Sequence, residues 1–393
     1  MVSLKDYVGR EQSYVKHVFL ERYLERLVHK TASKFDHIVY VDGFAGPWQS
    51  ASENFEDTSF GIALAALRGA KASWKDKRSV RMSAFLVERS PAAYAKLAQI
   101  PARFPDISVK TYSADFLSAL PNILKEIPSD AFAFFFVDPK GWRIPLRALE
   151  PMLARKNSEV IFNFMFDFIN RAASIKDPTV INGLDELIPI GGWRAKLEAA
   201  EQAASGQLTS DSRKEILVEA FRESLKGIGK YDFVAETTVL RPLTDRTLYC
   251  LFYATRHPIG IEVFRDCQIA ALTEESKTRA STKIKHSADN SGQSEMFRSL
   301  HDMAPDDLNL MFTQEKLRAE QAVLELAPVA PNFITYERLW PAVLARCVVR
   351  RPTVNKIVAT LRKAGRLHLP DWEKGKSVPQ STYRVQRAST NAN

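Results

Sequence analysis

The stretch His37-Ile38-Val39-Tyr40-Val41-Asp42-Gly43-Phe44-Ala45-Gly46-Pro47 decides the fold. An apolar run rich in β-branched residues reads as a short buried strand. It passes without a spacer into an acid and a turn holding two glycines. A strand feeding such a turn opens a nucleotide-binding α/β unit, because Gly43 and Gly46 lack the Cβ that would keep backbone away from a ligand. Upstream, residues 10–30 space Val15, Val18, Phe19, Tyr23, Leu24 and Leu27 at helical intervals. Downstream, residues 59–70 are Ala- and Leu-rich and predict a helix.

The same unit recurs along the chain. Residues 83–87 form a second apolar strand ended by Glu88, with a helix at 91–99. Residues 107–112 form a third, followed by Asp115 and a helix at 116–126. Residues 131–137 form a fourth, ending in Asp138-Pro139-Lys140-Gly141, and residues 159–166 a fifth. Strands that are apolar throughout and alternate with helices predict a parallel sheet covered on both faces. Residues 170–230 are Ala-, Glu- and Lys-rich and predict a helical insertion. Residues 231–240 and 247–255 are two more strands, joined by Arg241-Pro242-Leu243-Thr244-Asp245-Arg246, a link short enough for antiparallel pairing. The expected architecture is α/β and Rossmann-like: seven strands, mostly parallel, with helices on both faces.

The remainder of the chain has a different character. Of 393 residues, 55 are Lys or Arg and 46 Asp or Glu, a net charge of +9. Residues 328–393 carry 12 of the basic residues and three acids, so the whole excess lies there and residues 1–327 are neutral. A compact basic module on a neutral body is the electrostatic footprint of a nucleic-acid binder. Pro328-Val329-Ala330-Pro331 reads as a hinge, and Ser-, Thr- and Lys-rich residues 275–295 as a mobile loop. After the hinge, Thr335 is placed to cap one helix and Thr353 a second, which Gly365 stops. A polar hairpin with Lys374 and Lys376 follows. Two helices and a basic hairpin describe a winged helix-turn-helix, with Arg350, Arg351, Lys356, Arg362, Lys363, Lys374 and Lys376 as candidate contacts to DNA or RNA. The expected domains are 1–265, a loop and linker helix at 266–327, and 328–393.

Composition excludes several classes. A 45% hydrophobic content is that of a globular chain. No apolar run reaches membrane-spanning length, and the charged start Met1-Val2-Ser3-Leu4-Lys5-Asp6 lacks an apolar signal core. Cys250, Cys267 and Cys347 are far apart and form no CxxC, as expected in a reducing cytoplasm; Cys250 and Cys347 read as core residues, and no membrane partner is expected. The histidines show no metal spacing, so no metal is expected. Lys16 and His17 precede the first strand on a helix that in such folds can lie over the cofactor edge; a solvent-facing pair is expected ahead of a functional role there.

Four acids stand at or just beyond the carboxyl ends of successive strands: Asp42, Glu88, Asp115 and Asp138. That edge of an open parallel sheet is where ligands bind. Glu88 suits the two hydroxyls of a ribose, and Asp115 with Phe116 an adenine amino group and ring face. The dinucleotide pattern GxGxxG and the phosphate loop GxxxxGK[ST] are both absent. Asp42-Gly43-Phe44-Ala45-Gly46-Pro47 instead resembles the D-x-F-x-G-x-G turn of S-adenosylmethionine (SAM) methyltransferases, with Trp48 at the last glycine. Asp138-Pro139-Lys140-Gly141-Trp142 resembles the D/N-P-P-aromatic motif of amino-methyltransferases, with Lys140 for the second proline, Gly141 at the aromatic position and Trp142 one residue late.

Together with Lys16-His17, Tyr23-Leu24, Glu88 and Phe135-Phe136-Val137-Asp138, these motifs make residues 10–265 similar to the three-Cys-motif partner (TcmP) family. The resemblance implies a class I methyltransferase fold, SAM as cofactor and a protein partner encoded nearby. It assigns Asp42, Gly43, Phe44, Ala45, Gly46, Pro47, Glu88, Asp115 and Phe116 to the cofactor, and Asp138, Pro139, Lys140 and Trp142 to the acceptor. The expectation is methyl transfer to nucleic acid. The alternative is a catalytically inactive sensor or scaffold on the same fold that binds nucleic acid or a partner protein.

Overall fold

A computed structural model of the chain describes residues 7, 11–46, 50, 55–205, 208–241, 246–291 and 306–388. It divides into two compact units, Met1–Arg256 and His257–Asn393. Pro47, assigned above to the cofactor turn, lies outside the described residues, as do the four central residues of the 241–246 link.

Among its described residues the first unit contains seven strands: β1 (His37–Asp42), β2 (Arg81–Glu88), β3 (Ser108–Ser113), β4 (Phe132–Val137), β5 (Ser158–Phe164), β6 (Phe233–Leu240) and β7 (Thr247–Thr255). They form one sheet in the order β3-β2-β1-β4-β5-β7-β6. The pairings among β1 to β5 are parallel, and β7 runs antiparallel to both β5 and β6. This is the predicted seven-stranded, mostly parallel Rossmann-like sheet. The chain order reverses between β1 and β4, which pair directly. A ligand crevice opens at such a reversal, because the connections leave in opposite directions there.

Among the described residues ten α-helices connect and cover the strands: α1 (Glu11–Ala32), α2 (Ser59–Trp74), α3 (Pro91–Leu97), α4 (Ile100–Arg103), α5 (Phe116–Glu126), α6 (Glu150–Leu153), α7 (Phe166–Ala172), α8 (Pro178–Leu187), α9 (Trp193–Ala203) and α10 (Ser210–Gly229). Strand side chains alternate between the two faces. Val39 and Val41 of β1, with Ala133, Phe135 and Val137 of β4, join one core with α5 and α10. Tyr40 and Phe134 point the other way, where Tyr23 of α1 packs on Phe134 and Tyr253. The predicted insertion at 170–230 is therefore two things. Helix α10 belongs to the main fold: Phe221 lies 4.6–4.9 Å, centroid to centroid, from Phe162, Phe164 and Phe252. Only α8 and α9 are additions.

The second unit contains α11 (Pro258–Ser291), α12 (Asp306–Leu326), α13 (Tyr336–Arg346) and α14 (Arg351–Lys363), with short strands β8 (Ile334–Thr335), β9 (Leu367–His368) and β10 (Arg384–Arg387). The strands form a three-stranded antiparallel sheet, β8-β10-β9. Several sequence expectations change here. Residues 275–291 are helical, because nothing between Gly260 and Gly292 breaks α11 and Ala, Glu, Lys and Arg sustain it. The unit begins at His257, ahead of the expected boundary at 265/266, because α11 packs on α13. The Pro-rich hinge is tied to the sheet: Pro328 O accepts from Arg387 N at 2.8 Å, and Pro331 O from Gln386 Nε2 at 3.0 Å. Thr335 does precede α13, but its hydroxyl makes no capping bond; Thr353 falls inside α14, which starts after Arg350. Gly365, at φ +71°, ends α14 as expected.

Arg265 of α11 is buried to 2% exposure. Its guanidinium donates to Leu344 O and Ala345 O at the carboxyl end of α13, where the helix dipole favours a cation.

Replacing Phe221 with Ala should cost about 3–5 kcal/mol, because the cavity would open between α10 and three strands. Chemical denaturation should show a lower midpoint with an unchanged slope.

Candidate functional site

The parallel pairing of β1 and β4 brings the acids that follow them to one edge of the sheet. Asp42 is fully buried. Its Oδ1 accepts from Phe44 N at 3.0 Å, and its Oδ2 from Tyr40 Oη at 3.1 Å and Ser59 Oγ at 2.6 Å. Burial pushes its carboxyl up to about 6, against the pull of the Ser59 and Phe44 donors; the charge of Asp138 adds to the rise.

Asp138, at the end of β4, is held from two sides. Oδ2 accepts from Lys16 Nζ at 2.5 Å, and Oδ1 from Asn163 Nδ2 at 2.5 Å. Burial would raise this carboxyl, but the Lys16 charge, its hydrogen bond and the Asn163 amide hold it below the usual carboxylate range. Asn163 itself is 3% exposed, and its Oδ1 has no hydrogen-bond partner among the described residues. Lys16 and His17 are therefore not the expected solvent-facing pair. Helix α1 turns both inward: Lys16 reaches Asp138, and His17 Nδ1 lies 2.8 Å from Tyr7 Oη. Lys16, Ser59 and Asn163 join Asp42 and Asp138 at this edge; Lys16 falls in a stretch that carries the family resemblance, whereas no local motif marks Ser59 or Asn163. They come from α1, α2 and β5, and only the fold assembles them.

The other predicted residues are dispersed. Gly43 and Ala45 are buried, and their backbone amides continue the sheet, to Phe136 O at 3.1 Å and Val87 O at 2.8 Å. Gly46 and Phe44 are half-buried. A Cβ on Gly43 would lie 2.8 Å from the Phe116 ring, so this glycine is required by Phe116. Phe116 is 2% exposed and packs on Phe44; its face is taken by protein. Glu88 is buried, with Oε1 accepting from Ser90 N at 2.5 Å. Asp115 is exposed and caps α5 through Leu117 N at 3.0 Å. In the acceptor motif, Pro139 is buried, Lys140 exposed and Trp142 half-buried against Gly183 of α8. Gly141 sits at φ +100°, which explains why no aromatic residue occupies that position.

In the second unit the basic residues divide. Arg350 pairs with Asp266, Arg351 with Glu262, and Lys376 with Glu373, at 3.5–4.0 Å. Arg362 covers the Trp372 ring. Arg346 and Arg366 pair with Glu325 and Glu320 of α12. Lys356, Lys363 and Lys374 are exposed and make no ion pair among the described residues. The acids of α11 and α12 thus neutralise much of the charge concentrated in 328–393. Counted over the whole unit, residues 257–393 hold 20 basic and 15 acidic residues.

Cys250, Cys267 and Cys347 are buried free thiols, and burial pushes Cys250 and Cys347 up to about 11. Among the described residues, no three or more His, Cys, Asp or Glu side chains gather as a metal site. No helix among them is long and apolar enough to cross a membrane.

No protein-family model matches the chain, and no curated protein matches it. Solved structures do. The protein LPL1258 of Legionella pneumophila is similar at 13% identity and a TM-score of 0.37, over 63% of this chain and 88% of that one. The precorrin-6y C5,15-methyltransferase of Geobacter metallireducens is similar at 12% identity and a TM-score of 0.28, over 59% and 87%. A loganic acid methyltransferase with SAH is similar at 7% identity and a TM-score of 0.30, over 70% and 88%. At these values the likenesses carry no functional weight; the site's own chemistry does.

The Asp42 geometry has a thermodynamic signature. Between about pH 4 and 6 the folded protein keeps a proton that the unfolded chain has released, so this carboxyl's contribution to stability falls as pH rises through that window. Relative to Asp42→Asn, the wild-type protein should lose up to about 3 kcal/mol between pH 4 and pH 7. Parallel urea titrations of the two proteins across that range measure the difference.

Proposed function

We propose that this chain is a SAM-dependent methyltransferase acting on nucleic acid. The observation that carries the reading is the charge of the edge between β1 and β4. Two carboxylates, Asp42 and Asp138, converge there, and Asp138 is paired with Lys16. An additional cation is favoured at such a site, whereas a phosphate-bearing cofactor would meet like charge. SAM carries a sulfonium and an ammonium group, so it fits these residues where ATP and NAD do not.

In this reading Asp42 and the 43–46 turn line the methionine end, and Phe116 supports the turn from below. Glu88 serves the ribose. Asp115 offers the adenine amino group the carboxylate oxygen not used in capping α5. Asp138, Pro139 and Lys140 orient the acceptor, and Trp142 walls the site on the α8 side. Bound SAM would supply an electrophilic methyl group. The protein's part is to align the acceptor and keep water out. The likeness to TcmP proteins belongs to the same proposal. So does the winged helix-turn-helix: α13, α14 and the antiparallel sheet have its order of elements, and Lys356 and Lys363 lie on one exposed stripe of α14 with Lys374 in the hairpin beyond.

The buried Phe116 face and the Trp142 ring backed by Gly183 favour a second reading, a non-catalytic sensor or scaffold on the same fold.

Calorimetric titration decides between them. Saturable binding of SAM, without binding of ATP or NAD and lost in Glu88→Ala, is the expected result; a folded protein that ignores SAM would retire the enzyme reading. For the second unit, Lys356→Ala with Lys363→Ala in the full chain should weaken binding to a duplex oligonucleotide and reduce the salt slope by about 2. Fluorescence anisotropy at stepped salt concentrations reads both effects.

A further inference from the structure

Among the described residues of the first unit, two large apolar side chains are exposed: Phe168 at 45% and Ile175 at 48%. Both belong to one short segment. Helix α7 buries Phe166, Ile169 and Ala172, spaced three apart, and leaves Phe168 and Arg171 exposed on its other side. Ile175 and Lys176 are exposed in the turn that follows. An apolar pair on the outer side of so short a segment marks a contact surface. The segment is pinned from within the fold: Arg213 of α10 donates to Asn170 Oδ1 and Ser174 Oγ, each at 2.9 Å.

Its place in the sheet matters. Helix α7 starts two residues after the last residue of β5, at the carboxyl edge where open parallel sheets bind ligands. Strand β7 is antiparallel to both β5 and β6, so β6 ends at the same edge and brings Arg241 there. Arg241 Nη2 donates to Asp167 Oδ2 at 2.8 Å, and Arg171 Nη2 lies 3.2 Å from the same oxygen. The Arg171 guanidinium also lies over the Phe168 ring, 4.9 Å from its centroid. The acids here are already engaged: Asp167 is shared by two guanidiniums, and Asp177 caps α8 through Thr179 N and Val180 N. Lys176 makes no ion pair among the described residues. Three bases against two occupied acids suit a polyanion. A ring and a guanidinium take the face of a base, and nearby cations take its phosphates. In a duplex the neighbouring bases cover those faces, so an unpaired strand is the polyanion that offers them.

We propose that the outer face of α7 is a single-strand binding surface: a base of an unpaired segment stacks on Phe168 and Arg171, and its phosphates meet Lys176 and Arg241. The inference rests on the reading of nucleic acid as the substrate and narrows it to unpaired strands. Stacking of this kind is tolerant of sequence, because every base has a π-face.

The test uses the full-length protein and fluorescence anisotropy with a labelled oligothymidine strand and a hairpin duplex. Phe168→Ala and Phe168→Leu should each weaken single-strand binding about tenfold, and Phe168→Trp should retain it, with duplex binding at the wild-type level throughout. Lys176→Ala should lower the single-strand salt slope by about 0.7. Thermal melts of the variants should coincide with that of the wild type, because the exposed ring carries little of the core. Single-strand binding that is unchanged in Phe168→Ala, or kept in Phe168→Leu, overturns the stacking role. An equal loss on the duplex overturns the restriction to unpaired strands. A wild-type dimer in sedimentation that dissociates in Phe168→Ala assigns the face to a second copy and overturns the proposal as well. Binding of neither oligonucleotide by the wild-type protein would instead remove the nucleic-acid reading itself, and SAM calorimetry reports on the cofactor independently of both.

Discussion

Two carboxylates at the end of adjacent strands, Asp42 fully buried and Asp138 largely so, are the constraint around which the first unit is organised. Each costs several kcal/mol in lost hydration unless donors replace water. The two are satisfied differently. Asp42 takes neutral donors from its own turn, from Tyr40 and from the start of α2, and is left easily protonated. Asp138 takes a full positive charge from α1 and an amide from β5, and stays ionised. One edge therefore holds two acids with different proton affinities, an arrangement that assigns them different roles.

Helix α1 supplies half of that arrangement, so its own anchoring matters. Tyr23 lies seven residues after Lys16, close to two turns, and so on the same face. Its hydroxyl donates to Glu159 at 2.6 Å, and Thr255 donates to the other oxygen of that buried glutamate at 2.8 Å. Burial pushes Glu159 up, against the hydroxyls that donate to it. Two polar contacts on one apolar face fix both the rotation and the position of the helix, which a purely apolar interface does more loosely.

The second unit follows the same economy of charge. Its helix α14 is basic, but arginines in and around it are engaged by acids of α11 and α12 or by Trp340 and Trp372. Such arginines hold the unit together and are only partly available to an outside polyanion. The lysines are left outward, and their flexible, strongly hydrated ammonium groups suit phosphate contact without base specificity.

Much of this was legible before any coordinates. Strand apolarity, the Asp42-Gly43 turn and the acids at successive strand ends determined the Rossmann-like sheet, the antiparallel end pair and the edge where the candidate acids stand, because period and turn chemistry are local properties. The readings that failed depended on partners distant in sequence. Residues 170–230 look like an insertion until Phe221 is seen against β5 and β7. Lys16 and His17 look like a solvated pair until α1 is laid on the sheet. Gly43 reads as a ligand glycine, and the structure adds that the Phe116 ring requires it. The sequence by itself determined which elements form and where acids cluster. Only the tertiary structure decided the charge state of each acid, because that depends on which donors the fold brings within hydrogen-bonding distance.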